Sequence, residues 1–411
     1  VYVNVEEYKR PKFEVVFDPV KGSYKLDSEV IMTGKAMAYA GNAIDHATVK
    51  YRVKRNAYFP YRYFWPGQFS HGSEAEIAFG ETRTDADGSF TISFTALPDR
   101  SMAMRFNPVF TYTLIVDVTD ISGETHSAES SVSVSNKSLL INLGINDMVN
   151  REVLKEISLQ TTNLNGEKEA ALVDVKITHL KSPDRIFQDR EWKRPDVYMI
   201  DQGDFKNWFP NIPYRDENER KNWKEGKLTF DGSINTEYDS VLNITDLDKW
   251  EAGSYKVVMK AEDAFGEEVE IIRIFTLYSP EIKNLPDKRS SEFIALDTKV
   301  EPGEKARFLI GSSFKDVKLL YHLEGEKGSL KHEWITIDNE QKLIEVPIRE
   351  EDRGGLGISF VFVNHNKSYS YSSRIDVPFS NKELDISLES FRNKLLPGEK
   401  ERWNIRIRSH K

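Results

Sequence analysis

Apolar residues recur at every second position in many stretches of this chain, which is the pattern of β-strands with one buried face. Val49, Tyr51 and Val53 alternate with charged residues, and three further stretches alternate in the same way, at 90–94, 173–177 and 358–362. A sustained period of 3.6 residues is rare, and the best short-helix candidate is the charged stretch 216–222, which is expected to lie in a loop. The pattern therefore predicts an all-β protein.

A hairpin-like stretch occurs twice without gaps, at 112–124 and at 255–267. Each copy opens with a tyrosine, alternates as a strand and ends in the phrase Asp-x-x-Gly-Glu, with its glycine at Gly123 or Gly266. Glycine at this position predicts a tight turn with positive φ, after which a more polar strand returns. A third version spans 357–377, with its turn at 364–366.

A second repeat consists of a turn followed by an opening strand. It occurs at 24–34, 300–310 and 396–405, and a degenerate copy lies at 148–161. In two of the copies a Pro-Gly pair, Pro302-Gly303 and Pro397-Gly398, sets the turn.

These repeats predict a row of immunoglobulin-like antiparallel β-sandwich domains. We place the domains at 1–137, 138–282 and 283–380, with 381–411 as the start of a further, truncated domain. Residues 1–11 form a junction strand within the first domain. The joints between domains are short, so neighbouring domains are expected to contact each other instead of swinging freely.

Two long segments interrupt the pattern, at 56–84 and 182–225, and both exceed an ordinary hairpin loop. The first carries a possible partner-contact site, the aromatic residues Tyr58, Tyr61, Tyr63, Phe64 and Trp65. Such rings could stack on sugars or contact a neighbouring protein. The alternative is a loop folded back over its own sandwich or against the next domain, because so many exposed rings would form an aggregation-prone patch. The same two interpretations apply to 182–225.

Charge and composition narrow the function. The 57 basic and 66 acidic residues give a formal charge of −9, and no stretch concentrates Lys or Arg. A nucleic-acid-binding surface needs a basic stripe, so this class is excluded. No run of about 18 apolar residues occurs, so no membrane span is expected. Cys is absent, which excludes disulfides and thiolate metal sites.

The chain begins at Val1, inside a strand-like run, and carries no signal peptide. The expected interpretation is a fragment of a larger exported protein whose targeting segment lies elsewhere.

Motifs for catalysis or metal binding are missing from the sequence. His332-Glu333 begins a zincin-like phrase, but Thr336 stands where the second histidine should be. The run that begins at Asp85 and Asp87 resembles a calcium loop, but Ala96 stands where its last acidic ligand should be, so a hairpin turn is expected there. We therefore expect no catalytic residue, no cofactor and no metal, and hence no enzyme.

The start of the chain carries a junction phrase: Glu6-Glu7-Tyr8, two basic residues before Pro11, then Phe13-Glu14-Val15. The phrase resembles the segment that joins successive macroglobulin domains in the alpha-2-macroglobulin family. The spacing of aromatic residues and prolines in 182–225 is similar to an insertion in the bacterial, Bacteroidetes-like branch of that family. The resemblance covers nearly the whole chain and implies macroglobulin-type sandwiches.

The resemblance implies part of an endopeptidase inhibitor, which traps a protease by rearranging after cleavage of a bait segment. Without cysteine this stretch contains no thioester, and its implied role is that of a scaffold. The implied partners are neighbouring macroglobulin domains and, through the intact protein, target proteases. The implied location is the periplasm or the outer-membrane-anchored cell surface.

An alternative function is that of a surface adhesin stalk or a carbohydrate-binding module. The scaffold hypothesis predicts fixed contacts between consecutive domains. The alternative predicts a linear rod with few such contacts, or an exposed aromatic platform at 58–65.

Overall fold

The computed structural model describes residues 12–58, 74–102, 104–325, 328–390, 400 and 402–409. Strands arranged in antiparallel sheets account for nearly all of its regular structure, so the predicted all-β sandwich fold is confirmed. The sheets enclose three hydrophobic cores that follow one another along the chain, and we call the sandwiches around them units one, two and three. Every core forms because alternate residues along the strands point inward.

The described residues of unit one form seven strands: β1 (Phe13–Phe17), β2 (Glu29–Ala38), β3 (Thr48–Tyr58), β4 (Ala75–Arg83), β5 (Ser89–Thr95), β6 (Val109–Thr119) and β7 (Thr125–Val134). They form two sheets, in the orders β1-β2-β5 and β4-β3-β6-β7. A short 3-10 helix, Met104–Phe106, precedes β6.

Unit two contains eight strands: β8 (Leu139–Gly144), β9 (Met148–Asn150), β10 (Ile157–Asn163), β11 (Leu172–Lys181), β12 (Lys224–Asn235), β13 (Val241–Leu242), β14 (Gly253–Glu262) and β15 (Glu268–Tyr278). Their sheets have the orders β13-β10-β8 and β12-β11-β14-β15-β9, and β9 joins β15 in parallel. Between these strands lie the helix α1 (Gln202–Trp208) and the 3-10 turns Arg220–Asn222 and Leu247–Lys249.

Unit three repeats the layout of unit one with β16 (Glu292–Asp297), β17 (Lys305–Ser312), β18 (Val317–Gly325), β19 (Gly328–Ile337), β20 (Glu340–Pro347), β21 (Leu356–Asn364) and β22 (Lys367–Ile375). Its sheets have the orders β16-β17-β20 and β19-β18-β21-β22, with a 3-10 turn at Glu350–Asp352. After the 3-10 turn Ser380–Lys382, β23 (Leu384–Ser390) and β24 (Asn404–Ser409) pair as a separate antiparallel hairpin.

The repeated Asp-x-x-Gly turn has the same geometry in units one and two, as predicted. The amide of Asp120 donates to the carbonyl of Glu124, and the amide of Asp263 donates to that of Glu267, each over 3.0 Å. Gly123 has a φ of 82° and Gly266 a φ of 77°, values that favour glycine. The aspartate side chain completes each turn by accepting hydrogen bonds from backbone amides inside it.

The two tyrosines that open these hairpins differ at their hydroxyls, although both lie in a core. Tyr255 Oη donates to the carbonyl of Glu251 over 2.8 Å, whereas Tyr112 Oη is buried and finds no hydrogen-bond partner among the described residues. Burial raises the pKa of both hydroxyls above the ordinary value for tyrosine.

We therefore expect Tyr255→Phe to lower the free energy of unfolding by about 1 kcal/mol, since it removes a made hydrogen bond. Tyr112→Phe is the matched control and should leave the free energy of unfolding unchanged or raise it. Urea unfolding followed by circular dichroism measures both variants. An equal loss in the two would contradict the assigned hydrogen bond.

The short-helix candidate 216–222 forms no α-helix. Only a single 3-10 turn forms there, and the α-helix lies earlier, at α1. Its start is fixed by Asp201, whose side chain accepts a hydrogen bond from the amide of Gly203. This cap satisfies an amide that the first helical turn leaves without a partner, a signal that charge content alone does not reveal.

Two further expectations for unit one need correction. The turn at 84–88 does not close a hairpin, because β4 and β5 belong to different sheets and the turn carries the chain from one layer to the other. The segment 56–84 is also shorter than predicted, since β3 runs to Tyr58 and β4 covers most of its second half. As an edge strand with Phe79 exposed, β4 lacks a clean alternation of buried and exposed positions.

Candidate functional site

Of the five residues predicted for partner contact, the structure describes Tyr58 alone. Tyr58 is the last residue of β3, where it pairs with Val109 and is 48% exposed. Tyr61, Tyr63, Phe64 and Trp65 lie outside the described residues.

The structure describes both of the sequence motifs that partly resemble metal sites. Asp87 accepts hydrogen bonds from the amide and hydroxyl of Ser89, and His332 and Glu333 lie exposed on β19. Hydrogen bonds from Ser89 lower the pKa of Asp87. In the part of the chain that the structure describes, no three His, Asp or Glu side chains group closely enough to hold a metal ion. The described helices include none with the length and apolar character that a bilayer crossing requires.

Polar groups converge instead at the two joints between the units. At the first joint, unit two presents two turns of the same kind, 163–167 and 263–267. The first was missed in the sequence because Asn163 replaces the aspartate. Its Oδ1 accepts from the amides of Asn165 and Glu167, as Asp263 Oδ1 does in the second turn. Asparagine supplies the same acceptor as aspartate, so a search for Asn or Asp in this phrase would have found it.

Turn 163–167 holds the β1–β2 loop of unit one. The amide of Gly22 donates to Glu167 Oε2 over 2.7 Å, and the carbonyl of Gly22 accepts from Asn163 Nδ2 over 2.8 Å. Beside it, Asn165 Oδ1 accepts from the amide of Ser133 over 2.8 Å. Both backbone groups of Gly22 are thus engaged across the joint, which fixes the loop relative to unit two.

Glu169 and the second turn complete this joint. The Glu169 carboxylate accepts from the hydroxyls of Ser23 and Ser138 and from the amide of Ala264. Asp263 Oδ2 accepts from the buried amide of Ser138 over 2.9 Å. Lys25 Nζ pairs with Glu267 over 2.9 Å. One carboxylate therefore links unit one, the connecting residues and the closing turn of unit two.

The second joint is built around Asp287, in the segment between β15 and β16. Its carboxylate accepts from the amide and hydroxyl of Ser254 and lies 2.9 Å from Arg289 Nη2. Arg289 Nη1 reaches Glu292 over 2.6 Å. The Asp287 and Glu292 side chains are only 2% and 7% exposed. Burial raises the pKa of Glu292, while the charges of Arg289 and Arg220 oppose that rise.

The inserted segment contributes one arginine to this buried network. Arg220 Nη1 donates to Thr276 Oγ1 over 2.8 Å, and Thr276 Oγ1 lies 3.0 Å from Ser254 Oγ. The network thus connects the segment between β11 and β12, the strands β14 and β15, and the start of unit three. These hydrogen bonds satisfy the buried polar groups of Ser254, Thr276 and Asp287, which would otherwise destabilise the fold.

The same segment also reaches directly onto unit three. Gln188 Nε2 donates to Tyr369 Oη over 2.8 Å and to the carbonyl of Asn364 over 3.2 Å. Lys367 Nζ lies 3.1 Å from Glu191 Oε1, and Ile186 packs against the third core. The segment 182–223 therefore bridges units two and three, and we call it the bridge. This agrees with the interpretation of a loop folded against the next domain.

Within the segment 182–223, arginine side chains fix the backbone by donating hydrogen bonds to its carbonyls. Arg185 and Arg190 donate to the carbonyls of Pro210 and Pro213, with distances of 2.6 Å from their Nη2 atoms. The Phe205 and Tyr214 rings pack 5.3 Å apart and are nearly buried. This small core lets a segment without strands act as a defined surface.

Glu124 holds the start of unit one in a similar way. Its Oε1 accepts from the backbone amide of Lys12 over 2.9 Å and lies 2.8 Å from His126 Nε2. Hydrogen bonds from His126 and from Lys12 hold the pKa of Glu124 at about 2.

A carboxyl with a lowered folded-state pKa stabilises the fold above its ordinary pKa of 4.5, and this contribution disappears as the pH falls through about 2. We expect the Glu124 carboxyl carbon to titrate in NMR with a midpoint well below 4, and His126→Phe to raise that midpoint. A midpoint at the ordinary value in the unaltered chain would contradict the contact.

Comparison with known proteins gives likeness in structure only. No protein-family model matches the chain, and no curated protein matches it in sequence. Among solved structures the chain is similar to native E. coli alpha-2-macroglobulin, with 11% identity, a TM-score of 0.34 and coverage of 93% of this chain and 24% of that one. The chain is also similar to trypsin-activated alpha-2-macroglobulin from E. coli, with 12% identity and a TM-score of 0.38. This match covers 94% of this chain and 25% of that one.

Adhesin repeats resemble the chain too. A tetra-tandem repeat from the extending region of a large adhesion protein shares 12% identity at a TM-score of 0.20, over 92% of this chain and 77% of that one. The chain spans about a quarter of the length of the alpha-2-macroglobulins it matches.

Proposed function

We propose that the chain is a scaffold segment of an alpha-2-macroglobulin-like protein, an endopeptidase inhibitor that rearranges around a protease after its bait is cleaved. The chain takes no part in catalysis and binds no cofactor. Its partners are neighbouring macroglobulin domains and, through the intact protein, target proteases. The protein is exported to the periplasm or the outer-membrane surface.

The observation that carries the proposal is the pair of bonded joints. A linear stalk needs few contacts between its sandwiches. Here Gly22 and Ser23 of unit one bond carboxylates of unit two, and Asp287 bonds Ser254 at the second joint. The segment 182–223 also contacts unit three directly. Such joints hold consecutive sandwiches in a fixed arrangement, as a scaffold requires. The junction phrase at 5–15 supports the family, since it resembles the linker between macroglobulin domains.

Rigidity can be measured directly because the chain contains no cysteine. Cysteines introduced at the exposed residues Arg52 in unit one and Glu345 in unit three would carry a donor and an acceptor dye. We expect a single narrow distribution of energy-transfer efficiency. Gln188→Ala combined with Lys367→Ala should broaden it, since the two changes remove bridge contacts with unit three.

The control for this measurement is Lys260→Ala, which removes exposed ion pairs within one sheet and should leave the distribution narrow. A broad distribution in the unaltered chain would favour the adhesin stalk.

The inhibitory role needs the complete protein that contains this chain. With trypsin it should block cleavage of a large protein substrate while a small peptide substrate is still cleaved, as expected for steric trapping. Equal cleavage of both substrates, with and without the protein, would rule out a trap.

A further inference from the structure

Asn165 and Gly166 form a reactive pair, because no other asparagine of the 411-residue sequence precedes a glycine. Asparagine is chemically labile, and glycine puts no side chain beside the amide nitrogen that can attack it. Gly166 is exposed and has a φ of 84°. Apart from its two chain neighbours, no described atom lies within 4 Å of where a Cβ would stand. Water and hydroxide therefore reach this peptide bond.

The same pair belongs to the first joint. Asn165 lies in turn 163–167 of unit two, and its side chain contacts both backbone groups of Ser133 in unit one. Its Oδ1 accepts from the amide of Ser133 over 2.8 Å, and its Nδ2 donates to the carbonyl of Ser133 over 3.4 Å. The side-chain amide that would be lost in a deamidation thus connects turn 163–167 to β7.

The contacts at the joint also hold the reacting atoms apart from each other's use. Ring closure requires Asn165 Cγ to meet the backbone nitrogen of Gly166, so the side chain has to leave Ser133. The Gly166 amide donates to the carbonyl of Asn163 over 3.1 Å, and its nitrogen has to lose that proton before it attacks. The reaction is therefore expected to proceed from molecules in which the joint has opened locally.

We propose that Asn165 is a site of spontaneous deamidation, that opening of the first joint sets its rate, and that its product loosens the joint. The Gly166 nitrogen gives its proton to hydroxide and bonds to Asn165 Cγ. The bond from Cγ to Nδ2 breaks, and Nδ2 takes up a proton and leaves as ammonia, which gives a succinimide ring.

Water then opens the ring at one of its two carbonyls, and the ring nitrogen gains a proton. Breakage at Cγ gives aspartate, and breakage at the backbone carbonyl gives isoaspartate. Only water and hydroxide are consumed besides the chain itself, and no atom is oxidised or reduced. This inference rests on the first joint and not on the proposed inhibitor function.

The product fits the joint less well than asparagine does. A carboxylate has no N–H for the carbonyl of Ser133 and places an oxygen against it. It also adds a negative charge to the end of unit two where Glu167 and Glu169 already bind Gly22 and Ser23, so like charges repel there. Isoaspartate further adds a backbone carbon to the turn. Each event is therefore expected to weaken the joint without return.

The test follows deamidation in the full chain. The folded chain and the same chain unfolded in guanidinium chloride are kept at mildly alkaline pH, and peptide mapping by mass spectrometry gives the fraction converted at residue 165. We expect conversion in the unfolded chain, and a rate at least about tenfold lower in the folded chain, because only open molecules react.

The dependence on the joint is tested in unit one, away from the reacting pair. Ser23→Ala with Lys25→Ala removes two contacts with carboxylates of unit two and should speed conversion about threefold or more. Lys25→Ala alone should have a smaller effect in the same direction. The matched control is Ser127→Ala with Lys35→Ala, which removes contacts within unit one and should leave the rate unchanged. Circular dichroism checks that each variant is folded.

The effect of the product is measured with Asn165→Asp. Hydrogen exchange of the backbone amides in β7 around Ser133 should be faster by about threefold or more. The control, Asn142→Asp, adds the same charge at an exposed position of β8 and should leave this exchange unchanged.

Three results would each overturn the proposal. The first is no conversion at residue 165 in the unfolded chain, or equal rates in the folded and unfolded chains. The second is an equal rate in the joint variant and its control. The third is unaltered exchange around Ser133 in Asn165→Asp, because the reaction would then leave the joint intact.

Discussion

Replacing Arg289 with methionine is expected to lower the free energy of unfolding by about 3–5 kcal/mol, the range for breaking a buried ion pair by removing one partner. The guanidinium lies between Asp287 and Glu292, whose side chains are 2% and 7% exposed. Without it, two carboxylates remain close together in a site that water hardly reaches. Urea unfolding, with hydrogen exchange to locate the weakened strands, measures the effect at the second joint.

The control is Arg307→Met, which removes an ion pair with Asp297 whose two side chains are 47% and 40% exposed. An exposed pair contributes about 1 kcal/mol or less, because water and salt screen it. Neutralising both carboxylates in the Arg289→Met background, with Asp287→Asn and Glu292→Gln, should restore part of the loss. If Arg289→Met destabilises no more than Arg307→Met, the network does not hold the joint.

Replacing Asp263 with alanine is expected to lower the free energy of unfolding by about 3–5 kcal/mol, and replacing Asp120 by only about 2 kcal/mol. The two side chains complete turns of the same kind, at 120–124 and 263–267. Asp263 also accepts from the amide of Ser138, a buried group at the first joint, and alanine would leave that amide without a partner. The difference in unfolding free energy between the two variants therefore measures what the bond from Ser138 to Asp263 contributes at the first joint. Urea unfolding of both chains gives this difference.

Asp263→Asn separates the turn from the joint. An asparagine oxygen already completes turn 163–167, so the turn at 263–267 should survive. Its amide nitrogen would face the amide of Ser138, a donor against a donor, and we expect a loss of about 1–3 kcal/mol from this contact alone. Equal stabilities for Asp263→Asn and the unaltered chain would show that the bond to Ser138 contributes nothing.

The strands and closing turns could be predicted because their causes are local. Alternation places Phe90, Ile92 and Phe94 in one core, and a glycine three residues after an aspartate allows the turn at 120–124. The position of α1 depends on a single cap, Asp201, and the edge strand β4 has one face half-exposed. Both features carry weak signals in a pattern of apolar and polar residues.

The joints could not be predicted because their partners are far apart in the sequence. Arg220 bonds Thr276, and Gln188 bonds Tyr369, across 56 and 181 positions. A single sequence shows that these residues are polar. It does not show which of them form hydrogen bonds with each other. The expectation that neighbouring sandwiches contact each other came from short linkers, which fix proximity and leave the contacts open.

The bonds that hold Gly22 and Lys25 also determine how the chain responds to tension. When the chain is pulled from its two ends, the force acts on the first joint and on the three cores in series. Hydrogen bonds at the rim of a sandwich open over a few ångströms, so the joint should yield before any strand is drawn from its sheet. It should close again on release, because the cores stay shielded from water. Single-molecule pulling would record a short reversible lengthening ahead of the larger unfolding steps, and its absence would mean that joint and core yield together.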